Sequence, residues 1–461
     1  MRIKNIMALA LAAAVLAPVA DGRDSRYTRH GSGPMYWMAY EQCFVTDQAI
    51  SEARFKQNID WVVENFKPYG YEMICTDGWI EGAQSVNRNG YITKYNSSWE
   101  HDLAYWVKYC NDRGLEAGIY LNPLWLSRAA YNTNARVAGR DDVRTQDIVG
   151  DTKFNDFIYW VDTDKDGAEE WVKGYVEYFK NLGYTFLRVD FVNWYENAYG
   201  TDRYVKALRW ISEACGDDML FSLVMPNCWD NSVNEVPYAD LMRISEDVFG
   251  GGFDFLSGRR KHQYQDGWAN WGNLSDGFAA FSEVSGRGQL IMDGDFIRLN
   301  TCETDDERRF WISLVSVTGS AVAIADQYDT GAGYEAFYQN EELIALNKAG
   351  FTARPLSTNV ASTSSSRWVG QMPDGSWIVG LFNRDDDTAD MNVRINRELG
   401  LDASEVTDIR DLWAHTSLGK GEGNYSLSVP AHGCRVIKIS TPSKRYQAEA
   451  AGVRGGATII Y

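Results

Sequence analysis

The sequence predicts a (β/α)8 TIM barrel followed by a C-terminal antiparallel β-sandwich domain. Two observations lead there. From about residue 34 to 348, short apolar runs alternate with longer amphipathic ones, the pattern of parallel βα units. After Pro355 the texture changes to short alternating runs divided by turn signals, the pattern of antiparallel sheets. At 461 residues the chain has room for both. The domain boundaries expected are 30–350 for the barrel and 351–441 for the β domain.

Eight strands are expected in the barrel: Met35–Ala39, Tyr71–Cys75, Ala117–Leu121, 185–190, Met219–Val224, Leu241–Ile244, Gln289–Met292 and Ala321–Ala325. Helices are expected at Ala49–Phe66, Trp99–Arg113, 168–182, 201–214, Asp305–Val317 and Glu341–Lys348. The stretch 126–165 reads as an irregular insertion. In the second domain the strand candidates are Trp377–Phe382, Met391–Ile395, Val406–Arg410 and Cys434–Ile439. Ser357–Ser366 reads as a loop and Pro373-Asp-Gly-Ser376 as a turn.

Residues 1–20 have the form of a secretory signal: Arg2 and Lys4, an apolar run from Ile6 to Leu16, then Ala17-Pro-Val-Ala20. The expected location is therefore secreted or periplasmic. The net charge of −18 argues against nucleic acid or an anionic membrane as partner. Seven scattered cysteines show no C-x-x-C pair and no metal-ligand spacing, so a zinc site is not expected; no cofactor is expected either. Residues 442–461 resemble the opening of a carbohydrate-binding module.

Three predicted barrel strands end on acids: Asp77, Asp190 and Asp247. Parallel barrel strands aim their C-terminal ends at one mouth, where barrel enzymes in general hold their catalytic groups. Converging carboxylates are what glycoside hydrolysis requires: one acts as nucleophile or base, the other donates to the leaving oxygen. With five histidines and no Ser-His-Asp order at strand ends, carboxylate chemistry is the economical reading. The alternative is that 63 acidic residues place a few near strand ends by chance. Trp37, Tyr40, Trp79, Tyr120, Trp125, Trp194 and Trp229 also fall at strand ends, as core packing or as a floor for sugar rings. Asp162-Thr-Asp164-Lys-Asp166-Gly167 starts like a calcium loop. Its twelfth position is Lys173, however, so Asp166 is better read as a helix cap.

Taken in order, these motifs resemble glycoside hydrolase family 27, the α-galactosidase-like clan of retaining enzymes. The similar segments are Met35-Tyr-Trp37, Thr76-Asp-Gly-Trp79, Gly118-Ile-Tyr120, Arg188-Val-Asp190, Arg243 with Asp247, Ile291-Met-Asp-Gly-Asp295 and Gly375-Ser-Trp-Ile-Val-Gly-Leu-Phe-Asn383. The resemblance implies that Asp190 is the nucleophile and Asp247 the acid/base. It implies Trp37, Tyr40, Asp77, Tyr120, Arg188 and Arg243 as substrate-binding residues, with an oligo- or polysaccharide as substrate. Three departures bear on the sugar: Arg188 stands where the family has lysine, Thr76 where it has an acid, and the strand-five stretch Ser222-Leu-Val-Met-Pro226 lacks the acid found in some members. The expected substrate is an α-galactoside. The alternatives are an isomaltodextranase-like α-1,6-glucan hydrolase, a β-L-arabinopyranosidase or a non-catalytic glycan-binding barrel.

Overall fold

The computed structural model describes residues 33–42, 50–78, 84–227, 232–248, 250–258, 270–286 and 290–442. The expected signal segment, the tail from 443, Trp79, Trp229, Cys43 and Cys228 lie outside the described residues.

Why the barrel forms is clearest at the step into its fourth strand. The helix Ala168–Leu182 buries Trp171, Val172, Tyr175, Val176 and Phe179, a stripe at three- and four-residue spacing. Each such side chain contributes about 1.5–3 kcal/mol on burial. The helix stops at Gly183, whose φ of 102° suits glycine and whose N–H donates back to the carbonyls of Phe179 and Lys180. Three residues later the chain enters strand Phe186–Val189, paired in parallel on both edges and buried throughout because both its faces are covered.

The strands, in chain order, are β1 (Met35–Met38), β2 (Met73–Cys75), β3 (Glu116–Tyr120), β4 (Trp125–Ser127), β5 (Val149–Asn155), β6 (Ile158–Val161), β7 (Phe186–Val189), β8 (Leu220–Leu223), β9 (Leu241–Arg243), β10 (Ile291–Asp293), β11 (Phe296–Ile297) and β12 (Val322–Ile324). The parallel sheet runs β10-β9-β8-β7-β3-β2-β1-β12-β11. Its two ends belong to one stretch of chain. β10 pairs with β9 (Asp293 opposite Arg243), and β11, two residues on, pairs with β12 (Phe296 opposite Ala323). The seventh barrel strand is thus one strand kinked at Gly294-Asp295, where Asp295 takes a φ of 64°. That kink closes the barrel.

The insertion expected to be irregular is instead an antiparallel sheet, β4-β6-β5, with Trp125 opposite Trp160. β5 (Val-Gly-Asp-Thr-Lys-Phe-Asn) has no buried residue, so its sequence carries no alternation to read. A helix at Val192–Tyr199 also went unanticipated, because it follows the strand end without a side-chain cap.

Beyond the last barrel helix, Glu341–Lys348, lie β13 (Arg354–Pro355), β14 (Arg367–Gln371), β15 (Trp377–Phe382), β16 (Ala389–Arg394), β17 (Asp408–Asp411), β18 (Thr416–Gly419), β19 (Asn424–Val429) and β20 (Cys434–Ser440). They form a six-stranded sheet, β13-β14-β15-β20-β17-β18, and a pair, β16-β19. Along β15, Ile378 and Phe382 join the barrel's core while Val379 and Leu381 face a second core with Val393 and Val429. The central sheet is therefore covered on both faces, which is why β15 reads as a continuous apolar run. No described helix is long and apolar enough to cross a membrane.

Candidate active site

The ends of β2, β7, β9 and the kinked β10/β11 strand bring together five aspartates and two arginines. Arg188, the third residue of β7, points into the barrel and is almost wholly buried. Its Nε lies 3.0 Å from Asp77 Oδ2, an ion contact not aligned as a hydrogen bond. Its Nη1 donates to Asp293 at 3.1 Å and its Nη2 to Asp295 at 3.4 Å. Arg243, fully buried, lies 2.7 Å from Asp295 and donates to Asp247. Asp295 also accepts from the Val248 N–H at 2.7 Å. These contacts make a dry, ion-paired floor.

Asp190 and Asp247 stand differently. Of the five aspartates, they alone are partly exposed, while Asp77, Asp293 and Asp295 are buried. Asp190 is held from three sides. Tyr120 Oη donates to Oδ2 at 2.9 Å, the Phe191 N–H donates to Oδ1 at 2.6 Å, and Asn122 Nδ2 donates to its carbonyl at 2.8 Å. Phe191 has a φ of 57°, the left-handed region that costs a bulky residue energy. That turn aims the Phe191 N–H at the preceding carboxylate.

Charge balance sets the protonation of the cluster, since five carboxylates face two guanidinia. Burial pushes Asp190 up to about 6; the Asp247 charge adds to this, while Arg188 and the hydrogen bonds oppose it. Burial likewise pushes Asp77 up to about 7, against Arg188 and with the help of Asp190 and Asp247. Asp295 is driven well above the carboxylate range, again chiefly by burial. These shifts raise the proton affinity of Asp77, Asp190 and Asp295 above that of an ordinary carboxylate.

The remaining expected site residues divide. Tyr40 stacks on Phe296, ring centroids 3.8 Å apart, and its phenol is raised by burial and then by Asp247, Asp295 and Asp77, so it adjoins the cluster. Trp37 does not. It faces the outer helix layer, packs on Phe55 at 5.8 Å and donates its indole N–H to the Asp326 carbonyl at 2.9 Å. Alternation along β1 decides this: Tyr36 points inward to Phe186, so Trp37 must point outward. Arg188 and Arg243, expected to bind substrate, instead spend their guanidinia on aspartates and form the floor. Thr76 is buried and accepts the Tyr120 N–H at 3.1 Å, so it positions the backbone that carries Tyr120.

Asp293 and Asp295 were not anticipated as site residues, although two acids two residues apart at a strand end are a legible signal. The calcium-like loop is occupied by cations. Asp164 pairs with Arg203 and Lys206, and Asp166 pairs with Arg140, while Gly167, not Asp166, takes the helix N-cap position. Among the described residues, the set nearest to a metal-ligand cluster is Glu52, Glu100 and His101, where the His101 ring already bonds Glu52.

A barrel mouth with two partly exposed carboxylates above a buried ionic floor suits glycoside hydrolysis. Comparison with known proteins agrees. The model of the alpha-galactosidase C-terminal β-sandwich domain matches residues 362–439. The isomalto-dextranase of Arthrobacter globiformis is 42% identical over 465 aligned residues, covering 94% of this chain and 72% of that protein. The structure of the Arthrobacter globiformis T6 isomalto-dextranase complexed with panose has a TM-score of 0.86 at 41% identity, covering 91% of this chain and 74% of the other. A GH27 β-L-arabinopyranosidase from Geobacillus stearothermophilus shares the fold, with a TM-score of 0.74 at 19% identity over 91% of this chain and all of its own. The chain belongs to glycoside hydrolase family 27, a family of retaining glycosidases.

Proposed function

We propose that this enzyme hydrolyses α-1,6-glucan by a two-carboxylate double displacement, with Asp190 as nucleophile and Asp247 as acid/base. The observation that carries the pair is that these two aspartates alone among the five are partly exposed at the mouth, and the Asp247 charge bears on Asp190. In the first step Asp190 attacks the anomeric carbon while Asp247 gives its proton to the departing glycosidic oxygen, leaving a glycosyl ester on Asp190. In the second, Asp247 takes a proton from water, which attacks the same carbon and frees the carboxylate. A carboxyl separation of about 5–5.5 Å is what this chemistry requires.

The substrate reading rests on the long, 42%-identical match to an isomalto-dextranase. It also rests on two features of the pocket that disfavour an α-galactoside. Thr76 offers no carboxylate to a sugar hydroxyl, and its oxygen serves the Tyr120 backbone. Asp77, the remaining acid of that strand, shares its carboxylate with Arg188. A screen of dextran, an aryl α-galactoside and an aryl β-L-arabinopyranoside tests this. Turnover of dextran is expected to exceed the other two by at least about 10²-fold in kcat/KM. Preference for the galactoside would reverse the substrate reading and leave the catalytic pair in place.

A further inference from the structure

Away from the mouth, a cleft of about 620 Å³ opens where the barrel meets the β domain. Its volume falls within the roughly 300–1,000 Å³ typical of small-ligand sites. Three partly exposed aromatic rings line it: Tyr69 and Phe337 from the barrel and Trp413 from the β domain. Tyr69 lies just before β2 begins, whereas Asp77 follows the strand's other end, so the cleft is distinct from the catalytic mouth.

We propose that this cleft is a second glycan-binding site, which holds a neutral glucan segment remote from the catalytic carboxylates. Two observations select that ligand. The first is the fixed aromatic wall. The Trp413 indole N–H donates to Ser313 Oγ at 2.7 Å, and its ring sits 6.1 Å from Phe337, tilted by 57°. Rigid, half-exposed rings of this kind present apolar faces to the C–H faces of a sugar at little cost in entropy.

The second is that the cleft's arginines are already matched, and a further exposed carboxylate, Glu341, lines it. Arg410 reaches Glu342 through Nε and Nη2, both at 2.8 Å, and Arg309 reaches Asp306 at 3.0 Å. His415 bonds the same Glu342 at 2.6 Å. Matched pairs leave little field to attract an anion, yet they keep hydrogen-bonding capacity. Arg410 Nη1 takes no part in the Glu342 contact and can donate to a hydroxyl. Planar groups beside fixed rings suit an uncharged polyol. That the polyol is glucan rests on the activity proposed above.

The test uses the full chain carrying Asp190→Ala, so that bound polymer is not cut, run in native gels containing dextran. Ala336 is exposed and lines the cleft, so Ala336→Arg fills it without removing any packed group. Phe337→Ala removes one ring. Each is expected to weaken dextran retardation by about tenfold, the size of one lost aromatic contact. Equal retardation of all three proteins, or none of any, overturns the proposal. Dextran hydrolysis by the unmodified enzyme is measured in parallel. A chain retarded through the cleft that does not cut dextran overturns the proposed activity and leaves the cleft standing.

Discussion

Two groups of aspartates in this molecule face basic side chains, and they behave in opposite ways. On the surface, Asp164 is matched by Lys206 and Arg203, and Asp166 by Arg140; these cations hold both carboxyls below the usual range. In the barrel mouth, Asp77 and Asp190 also face an arginine, yet burial lifts them to about 7 and 6. Residue type and the presence of a partner do not separate the two groups. Burial does: the surface acids meet their cations in water, even where Arg140 is shared by Asp142, Asp166 and Glu170, while the five acids of the mouth share two buried guanidinia. The first arrangement ties down a loop, and the second raises the proton affinity of the acids in the mouth.

The comparison can be broken most sharply at Asp190. Asp190→Ala is expected to lower kcat on dextran by at least about 10⁴-fold, with the far-ultraviolet circular dichroism unchanged. A loss below tenfold would remove Asp190 from the chemistry. Asp247→Asn is expected to cost about 10²–10⁴-fold on dextran and less on an aryl glycoside, whose leaving group needs no proton. Equal losses on both substrates would speak against proton donation by Asp247.

The floor makes a stability claim. Arg188→Met leaves Asp77, Asp293 and Asp295 buried without their shared cation. The expected loss is about 3–5 kcal/mol in urea unfolding at pH 7.5. It should shrink toward pH 5, where protonation of the orphaned carboxyls relieves the imbalance. A pH-independent loss would mean that packing rather than charge is responsible.

Asp190 connects rate to stability. It must be ionised to attack, so kcat/KM is expected to fall tenfold per pH unit below about 6. The sign for stability is the reverse. A carboxyl raised in the folded state takes up protons more readily than in the unfolded chain, so its contribution favours folding at low pH and is lost as pH rises through about 6. Asp190→Asn should therefore stabilise the enzyme at pH 7, on the order of 1–3 kcal/mol, and little at pH 4. The surface group supplies the smallest effect. Asp164→Asn should change stability by about 0–1 kcal/mol, less in high salt, and leave turnover unaltered.

Much of this was legible in the chain. The helices Asp305–Val317 and Glu341–Lys348 fall where expected, because caps and apolar periodicity agree there. The strand ends carrying Asp77, Asp190 and Asp247 were legible as well, since parallel strands share one mouth. The outward turn of Trp37 was not, because an aromatic strand leaves its face ambiguous until a partner such as Phe186 claims one side. Nor was the role of Arg188 as floor rather than ligand, which depends on Asp293 and Asp295 arriving from more than a hundred residues away. β5 was invisible for a simpler reason: a sheet edge with no buried face leaves no hydrophobic pattern.

The central claim is that Asp190 carries the glycosyl group between the two steps. Incubation with a 2-deoxy-2-fluoroglucosyl donor, followed by peptide mass spectrometry, tests it directly, because the fluorine slows the second step and the ester accumulates. The expected result is one sugar per chain, on the peptide spanning Thr185 to Trp194 and fragmenting to Asp190. A label on Asp247, or on any residue outside the mouth, would contradict it.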